Sequence, residues 1–169
     1  MIELIKSIDA QLFLFLNGLH ADWLDPVMYW ISHPLTWVPL YLFIIGVLIK
    51  QWGEKVLWIL LFLALAVTCN DQSCNLIKRS VGRLRPSHEV ALEGKVHNVA
   101  QPDGKIYEGG RFSFPSGHAS NSMVVFVFFA FFVSTKRRWP LFLMLFWTLL
   151  IAYTRIYLGV HYPQRISRG

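Results

Sequence analysis

Apolar runs long enough to cross a bilayer divide this chain, and whatever lies between them must sit at one membrane surface or the other. Four runs are predicted to span: residues 27–49, 56–77, 116–135 and 139–157. The chain has 169 residues, 54% of them hydrophobic, with seven Trp and thirteen Phe, and a mean hydropathy of +0.43. A soluble domain of this size cannot bury that much apolar surface, so lipid is the solvent. Trp139, Trp147, Tyr153 and Tyr157 in the last run suit the interfacial aromatic belt.

Counting crossings then places three polar clusters on one face. The clusters are Lys78 to Arg85-Pro86, Pro115-Ser116-Gly117-His118, and Arg155 to His161. A run that leaves the membrane at Ile77 re-enters near Ser116 from the same side. It turns at the far surface around Lys136-Arg137-Arg138 and returns at Tyr157. Three cations, two histidines and a Ser-Gly helix start therefore gather at one membrane surface. Such a group can handle a phosphate.

Residues 1–25 are a different object. Ile5, Ile8, Leu12, Phe15, Leu16 and Leu19 recur at three- and four-residue steps, the mark of one helix face. Lys6, Asp9, Gln11, Asn17 and His20 argue against a span, so an amphipathic helix lying in the interface is expected. The stretch lacks the compact apolar core and cleavage site of a secretory signal.

The net charge of +6 and pI near 9.6 do not point to nucleic acid, because the basic residues sit between spans and no binding fold is visible. Nor do they orient the chain. The loops near Lys50 to Lys55 and Lys136 to Arg138 hold five cations, against seven between Lys78 and Arg111. Cys69 and Cys74 lie about 140° apart around a helix and make neither a disulfide nor a metal site, so both are expected to be packing residues.

The chain reads as one domain, 1–169, without repeats. Its long hydrophilic connection, residues 86–112, carries Pro102-Asp103-Gly104, a turn signal that predicts a short hairpin. A loop of this length in a compact protein is more often functional than idle.

Each cluster has a chemical reading of its own. Lys78 and Arg85 are almost two helical turns apart and share a face, which Pro86 ends; Arg83 stands beside them as a helper. Basic residues at a span end also act as headgroup anchors. Ser116 is a good N-cap, and the helix that starts there aims free N–H groups at an anion. Gly117 permits close approach, and His118 can transfer a proton near neutral pH. Arg155 offers a planar fork of donors, and His161 is a candidate nucleophile. Asp71, in the polar patch seven residues before Lys78 and on the same face, is a candidate supporting carboxylate.

Lys78-x6-Arg85-Pro86, Pro115-Ser116-Gly117-His118 and Arg155-x5-His161 together resemble the three signature motifs of the type 2 phosphatidic acid phosphatases. That superfamily also holds undecaprenyl pyrophosphate phosphatases, lipid A phosphatases and vanadium haloperoxidases. The resemblance implies an all-α integral membrane bundle: the interfacial helix, four transmembrane helices, and the long loop over the site. It implies that Lys78, Arg85 and Arg155 hold the phosphate with Ser116 and Gly117. His161 would form a phosphohistidine and His118 would protonate the leaving oxygen, with no metal or other cofactor. It further implies a bacterial inner-membrane location with the site facing the periplasm. The expected substrate is a lipid phosphate or pyrophosphate, with undecaprenyl pyrophosphate first.

Two departures qualify these expectations. The family's third motif continues His-x3-Asp, where the carboxylate orients the nucleophile; here that position is Arg165. The family also carries a further span, whereas this sequence reaches Gly169 eight residues after His161. The chain as written is thus expected to lack the family's C-terminal end, to be weakly active or a lipid-phosphate-binding protein, and to leave one side of the bundle open to lipid or a second copy in a homo-oligomer.

Overall fold

The computed structural model describes residues 2–133 and 137–163, with side chains from residue 7 onward. Its helices are α1 (Ile2–Asn17), α2 (Asp25–Ser32), α3 (Val38–Trp52), α4 (Val56–Val81), α5 (Gly117–Phe132) and α6 (Trp139–Tyr157). Among the described residues there is no strand, only two isolated bridges, Leu84 with Phe112 and Ala100 with Ile106. The fold is all-α.

Among the described residues, two stretches are long and apolar enough to cross a membrane, Pro34–Val81 (holding α3 and α4) and Trp139–Tyr157. The predicted first span, 27–49, is not one helix. His33 precedes Pro34 and is pushed to extended backbone (φ −82, ψ 129), which ends α2. A 3₁₀ turn, Pro34–Trp37, then leads into α3. Trp37 Nε1 donates to the Ile31 carbonyl at 2.7 Å and Thr36 Oγ1 to that of Trp30 at 2.5 Å, so the break leaves those carbonyls satisfied.

The last turn of α4 is closed by Gly82, in the left-handed region at φ +59, whose N–H bonds the Lys78 carbonyl at 2.9 Å. This cap fixes Lys78 at the end of its helix. Ser116 caps α5 by accepting from Ala119 N at 3.4 Å. The helix has 16 residues, about 24 Å, which is short of a hydrocarbon core about 30 Å thick.

Leu48, Ile59, Phe128, Phe129, Met144 and Trp147 fill the centre of the bundle. Leu57, Phe62, Leu65, Phe131, Phe142 and Phe146 point outward, as lipid-facing side chains do. Cys74 is packed, but Cys69 is exposed on the outer face of α4, contrary to the expectation that both pack.

The N-terminal helix differs from expectation in what it buries. Ile8, Phe15 and Leu19 of the expected apolar stripe are exposed and Leu12 and Leu16 half-buried, while Asp9, Phe13 and Asn17 are buried. Those three are four residues apart and so form one line. Asn17 Nδ2 donates to the carbonyls of Tyr157 (2.8 Å), His97 (3.1 Å) and Ile156 (3.2 Å), and its Oδ1 accepts from His97 N at 2.8 Å. One amide ties α1, the long loop and the end of α6. A helix that turns polar groups inward and apolar groups outward is built for a lipid surround.

The turn at Pro102-Asp103-Gly104 forms as the sequence signalled. Gln101 N bonds Lys105 O at 2.7 Å and Tyr107 N bonds Val99 O at 2.9 Å, with Gly104 at φ +83. The hairpin is too short to count as paired strands. It carries Tyr107 back over the helix ends.

Candidate phosphate-binding site

The three clusters meet. A cavity of about 730 Å³ is lined at its polar end by Lys78, Arg85, Gly117, His118, Arg155 and His161. It continues between the helices along Tyr41, Leu48, Leu60, Phe128 and Trp147. A charged mouth over an apolar shaft suits a lipid with an anionic headgroup.

Local backbone geometry brings Arg155 and His161 together. After α6 the chain reverses at Gly159 (φ +72), and the N–H groups of Val160 and His161 both bond the Arg155 carbonyl at 3.1 Å. A Cβ at Gly159 would lie 2.9 Å from Val96 Cγ1 and 3.1 Å from the His97 carbonyl, so the turn requires glycine.

Arg155 is 2% exposed. Its Nη1 donates to Ser32 Oγ in a short contact, and Nη2 donates to Tyr107 Oη at 3.0 Å. Arg85 Nε donates to the Phe112 carbonyl at 3.1 Å. Its guanidinium lies so near Gly109 (φ +64) that a Cβ there would fall 2.1 Å from Nη1. Two buried donors, Arg85 Nη1 and Arg155 Nε, have no acceptor among the described residues. Buried cationic N–H groups without a partner are unfavourable until an anion meets them.

Residues 34–167 match the PAP2 superfamily. The chain belongs to it. It is 39% identical, over its whole length and 73% of the relative's, to a lipid A 4'-phosphatase of Bacteroides thetaiotaomicron. Identity to a lipid A 4'-phosphatase of Porphyromonas gingivalis is 32%, over 99% of this chain and 69% of that one. A putative undecaprenyl-diphosphatase of Escherichia coli is 28% identical over 98% of this chain and 77% of its own length. The crystal structure of a transmembrane PAP2 type phosphatidylglycerolphosphate phosphatase from Bacillus subtilis superposes with a TM-score of 0.66 at 22% identity, covering 94% of this chain and 75% of that one. This last likeness speaks for the fold.

In this PAP2 chain Arg155, Arg85 and Lys78 each act electrostatically on both His118 and His161. The cations thus sit within reach of both imidazoles. Burial, then Arg155 and Arg85, hold the His161 pKa well below its ordinary 6.5, with the Ser113 backbone opposing. His161 is therefore neutral at neutral pH. Burial and then Arg155 lower Arg85 to about 10, against Tyr107, so it stays cationic.

The remaining sequence candidates divide. Ser116 caps α5 and is not on the cavity wall, whereas Asp71 is. Arg83 stands outside the cavity, with Nη2 donating to Asp9 Oδ2 at 2.6 Å and the guanidinium 3.7 Å from the Tyr162 ring. It ties α1 to the segment that bears His161. Lys136 and Arg165 lie outside the described residues.

Ser32, Tyr107 and Gly109 escaped the sequence reading. The Ser32-His33-Pro34 break was the available signal for the first, and the turn that returns the chain toward Tyr107 for the second.

Proposed function

We propose that this protein is a membrane phosphatase that hydrolyses a lipid phosphate monoester, of the kind named in its lipid A 4'-phosphatase relatives. The observation that carries the reading is the pair of buried, unpartnered guanidinium donors on Arg85 and Arg155, in the same cavity wall as two imidazoles. A phosphoryl group placed there would satisfy both donors. His161 attacks phosphorus as the P–O bond to the leaving group breaks, and His118 gives that oxygen its proton. Water then attacks the phosphohistidine, His118 takes a proton from it, and orthophosphate departs. Lys78, Arg85, Arg155 and the N–H groups at the start of α5 neutralise charge on the equatorial oxygens. The apolar shaft receives part of the lipid tail.

Sequence reading put undecaprenyl pyrophosphate first. Identities of 39% and 32% to lipid A phosphatases, against 28% to the undecaprenyl-diphosphatase, favour the monoester instead. The diphosphate is the second reading. The site faces the periplasm in this proposal. Phosphate release by purified protein from lipid A, undecaprenyl diphosphate and phosphatidylglycerol phosphate tests it, with lipid A expected to give the highest kcat/KM. Rapid acid-labile labelling that disappears in His161→Ala is also expected. Activity lost in EDTA and restored by a divalent cation would overturn the metal-independent mechanism.

A further inference from the structure

Between the cationic mouth and the apolar shaft, the cavity wall carries Asp71, Asn121 and Ser122. Asp71 is about two helical turns from Lys78 along α4, and Asn121 about one turn from Gly117 along α5, so both stand just inward of the cationic end. Asp71 Oδ2 accepts from Asn75 Nδ2 at 3.3 Å. Its Oδ1 has no hydrogen-bond partner among the described residues and lies 3.5 Å from where a Cβ on Gly117 would be. Ser120 Oγ donates to Asn70 Oδ1 at 2.7 Å, and Asn70 Nδ2 donates to Asn121 Oδ1 at 2.6 Å. That chain occupies the acceptor of Asn121 and leaves its amide N–H groups for a ligand.

Asp71 stands beside the acid rather than the nucleophile of the proposed mechanism. Its Oδ1 and Lys78 Nζ, 3.5 and 3.8 Å from where a Cβ on Gly117 would be, flank the residue before His118, and Asp71 acts electrostatically on His118. In an in-line displacement the nucleophile and the leaving group are on opposite sides of phosphorus, so a group beside His118 is on the leaving-group side. A carboxylate in a span is unfavourable unless it has a function or a partner.

We propose that Asp71, with Asn121, forms a leaving-group subsite that accepts a neutral, hydroxyl- or amide-bearing leaving group and repels a phosphate there. The proposal rests on the phosphatase reading above and deepens it. A phosphorylated sugar lipid leaves behind a hydroxyl group among N–H and O–H donors that a carboxylate can accept. A diphosphate leaves behind a second phosphate, whose charge opposes that of Asp71 in a water-poor site. Selectivity for monoesters over diphosphates thus comes from a repulsive element as much as from an attractive one.

The test is the ratio of kcat/KM for undecaprenyl diphosphate to that for lipid A, measured in the intact chain and in Asp71→Asn. The substitution keeps the shape and removes the charge. The ratio is expected to rise at least tenfold, and Asp71→Ser, which tests the same charge with a smaller side chain, to move it the same way. A ratio within twofold of the intact chain, including equal losses on both substrates, would overturn the subsite. An intact chain that itself prefers the diphosphate would instead defeat the monoester reading, and the direction of the Asp71→Asn change would still report on the subsite.

Discussion

Along α4, Leu57, Phe62 and Leu65 point outward and leave the helix to be held by its apolar inner face; along α1, Asp9, Phe13 and Asn17 point inward and Ile8 and Phe15 are left outside. Both helices meet lipid with apolar side chains, yet they are fixed to the protein by different forces. The centre of the bundle is side-chain packing among Leu48, Ile59, Phe128 and Trp147. The polar end is a set of hydrogen bonds between residues far apart in sequence, with Asn17 bonding Tyr157, Arg83 bonding Asp9 and Arg155 bonding Tyr107. Packing is forgiving and gives the bundle its shape. The polar bonds are directional, and among them the bond to Tyr107 holds Arg155 at the mouth of the cavity.

The sharpest way to break this comparison is at the mouth. Arg85→Ala is expected to lower kcat/KM by about 10²–10³, while thermal unfolding in detergent changes little, because the residue is set against Arg155 rather than paired with an acid. The acid limb of the pH profile should move as well. In the proposed mechanism His161 must be unprotonated to attack, so activity should fall as pH drops through its pKa, which lies below 6.5 in the intact protein. Removing one of the charges that hold the proton off moves that limb upward. A limb that stays in place would mean that Arg85 is not a neighbour of the nucleophile.

Asp9→Ala asks whether the polar end is structural in its own right. Asp9 is fully buried and its Arg83 partner is 16% exposed. Removing the acid takes a carboxylate partner from a largely buried guanidinium, which costs up to about 3 kcal/mol. Thermal unfolding reads the loss directly. A change under about 0.5 kcal/mol would show that Phe13 and Asn17 hold α1 without the Asp9–Arg83 pair.

How much of this could be read in the sequence follows the same division. Hydropathy located α4 and α6, and crossing parity brought Lys78, Arg85, His118, Arg155 and His161 to one end, because both are rules of composition and counting. The inward face of α1 could not be read. In a lipid surround the apolar stripe faces out, so the periodicity that marked Ile8 and Phe15 gave no sign of which way Asp9 and Asn17 point. The partners of Arg155 were hidden for another reason. Ser32 and Tyr107 are 123 and 48 residues from it, and no local signal specifies such a pairing. The break at His33-Pro34 was local chemistry, and a stricter reading of the residue before proline would have found it.

Tyr107→Phe is a smaller and more selective probe. It removes the oxygen that accepts from Arg155 Nη2 and keeps the ring 5.4 Å from the guanidinium. The loss should be about tenfold in kcat/KM, near the 1.4 kcal/mol that one hydrogen bond to a charged group contributes. Melting should be unaffected. An equal loss of stability and activity would make Tyr107 a part of the scaffold rather than a support for Arg155.

The smallest effect is expected on the outer face of α4. Leu65 is 55% exposed, and lipid tails surround it in the folded protein much as they would surround an isolated span. Lipid is as apolar as leucine, so burial from water gives this side chain no advantage in the folded state. Leu65→Ala should therefore change stability by less than about 0.5 kcal/mol, whereas a leucine as enclosed as Leu48, at 0% exposure, typically loses about 3–5 kcal/mol on the same substitution. Both variants are read by unfolding in the same detergent. A large loss at Leu65 would mean that this face of α4 is covered by protein, and the division between packed interior and lipid-facing exterior would have to be redrawn with another chain against it.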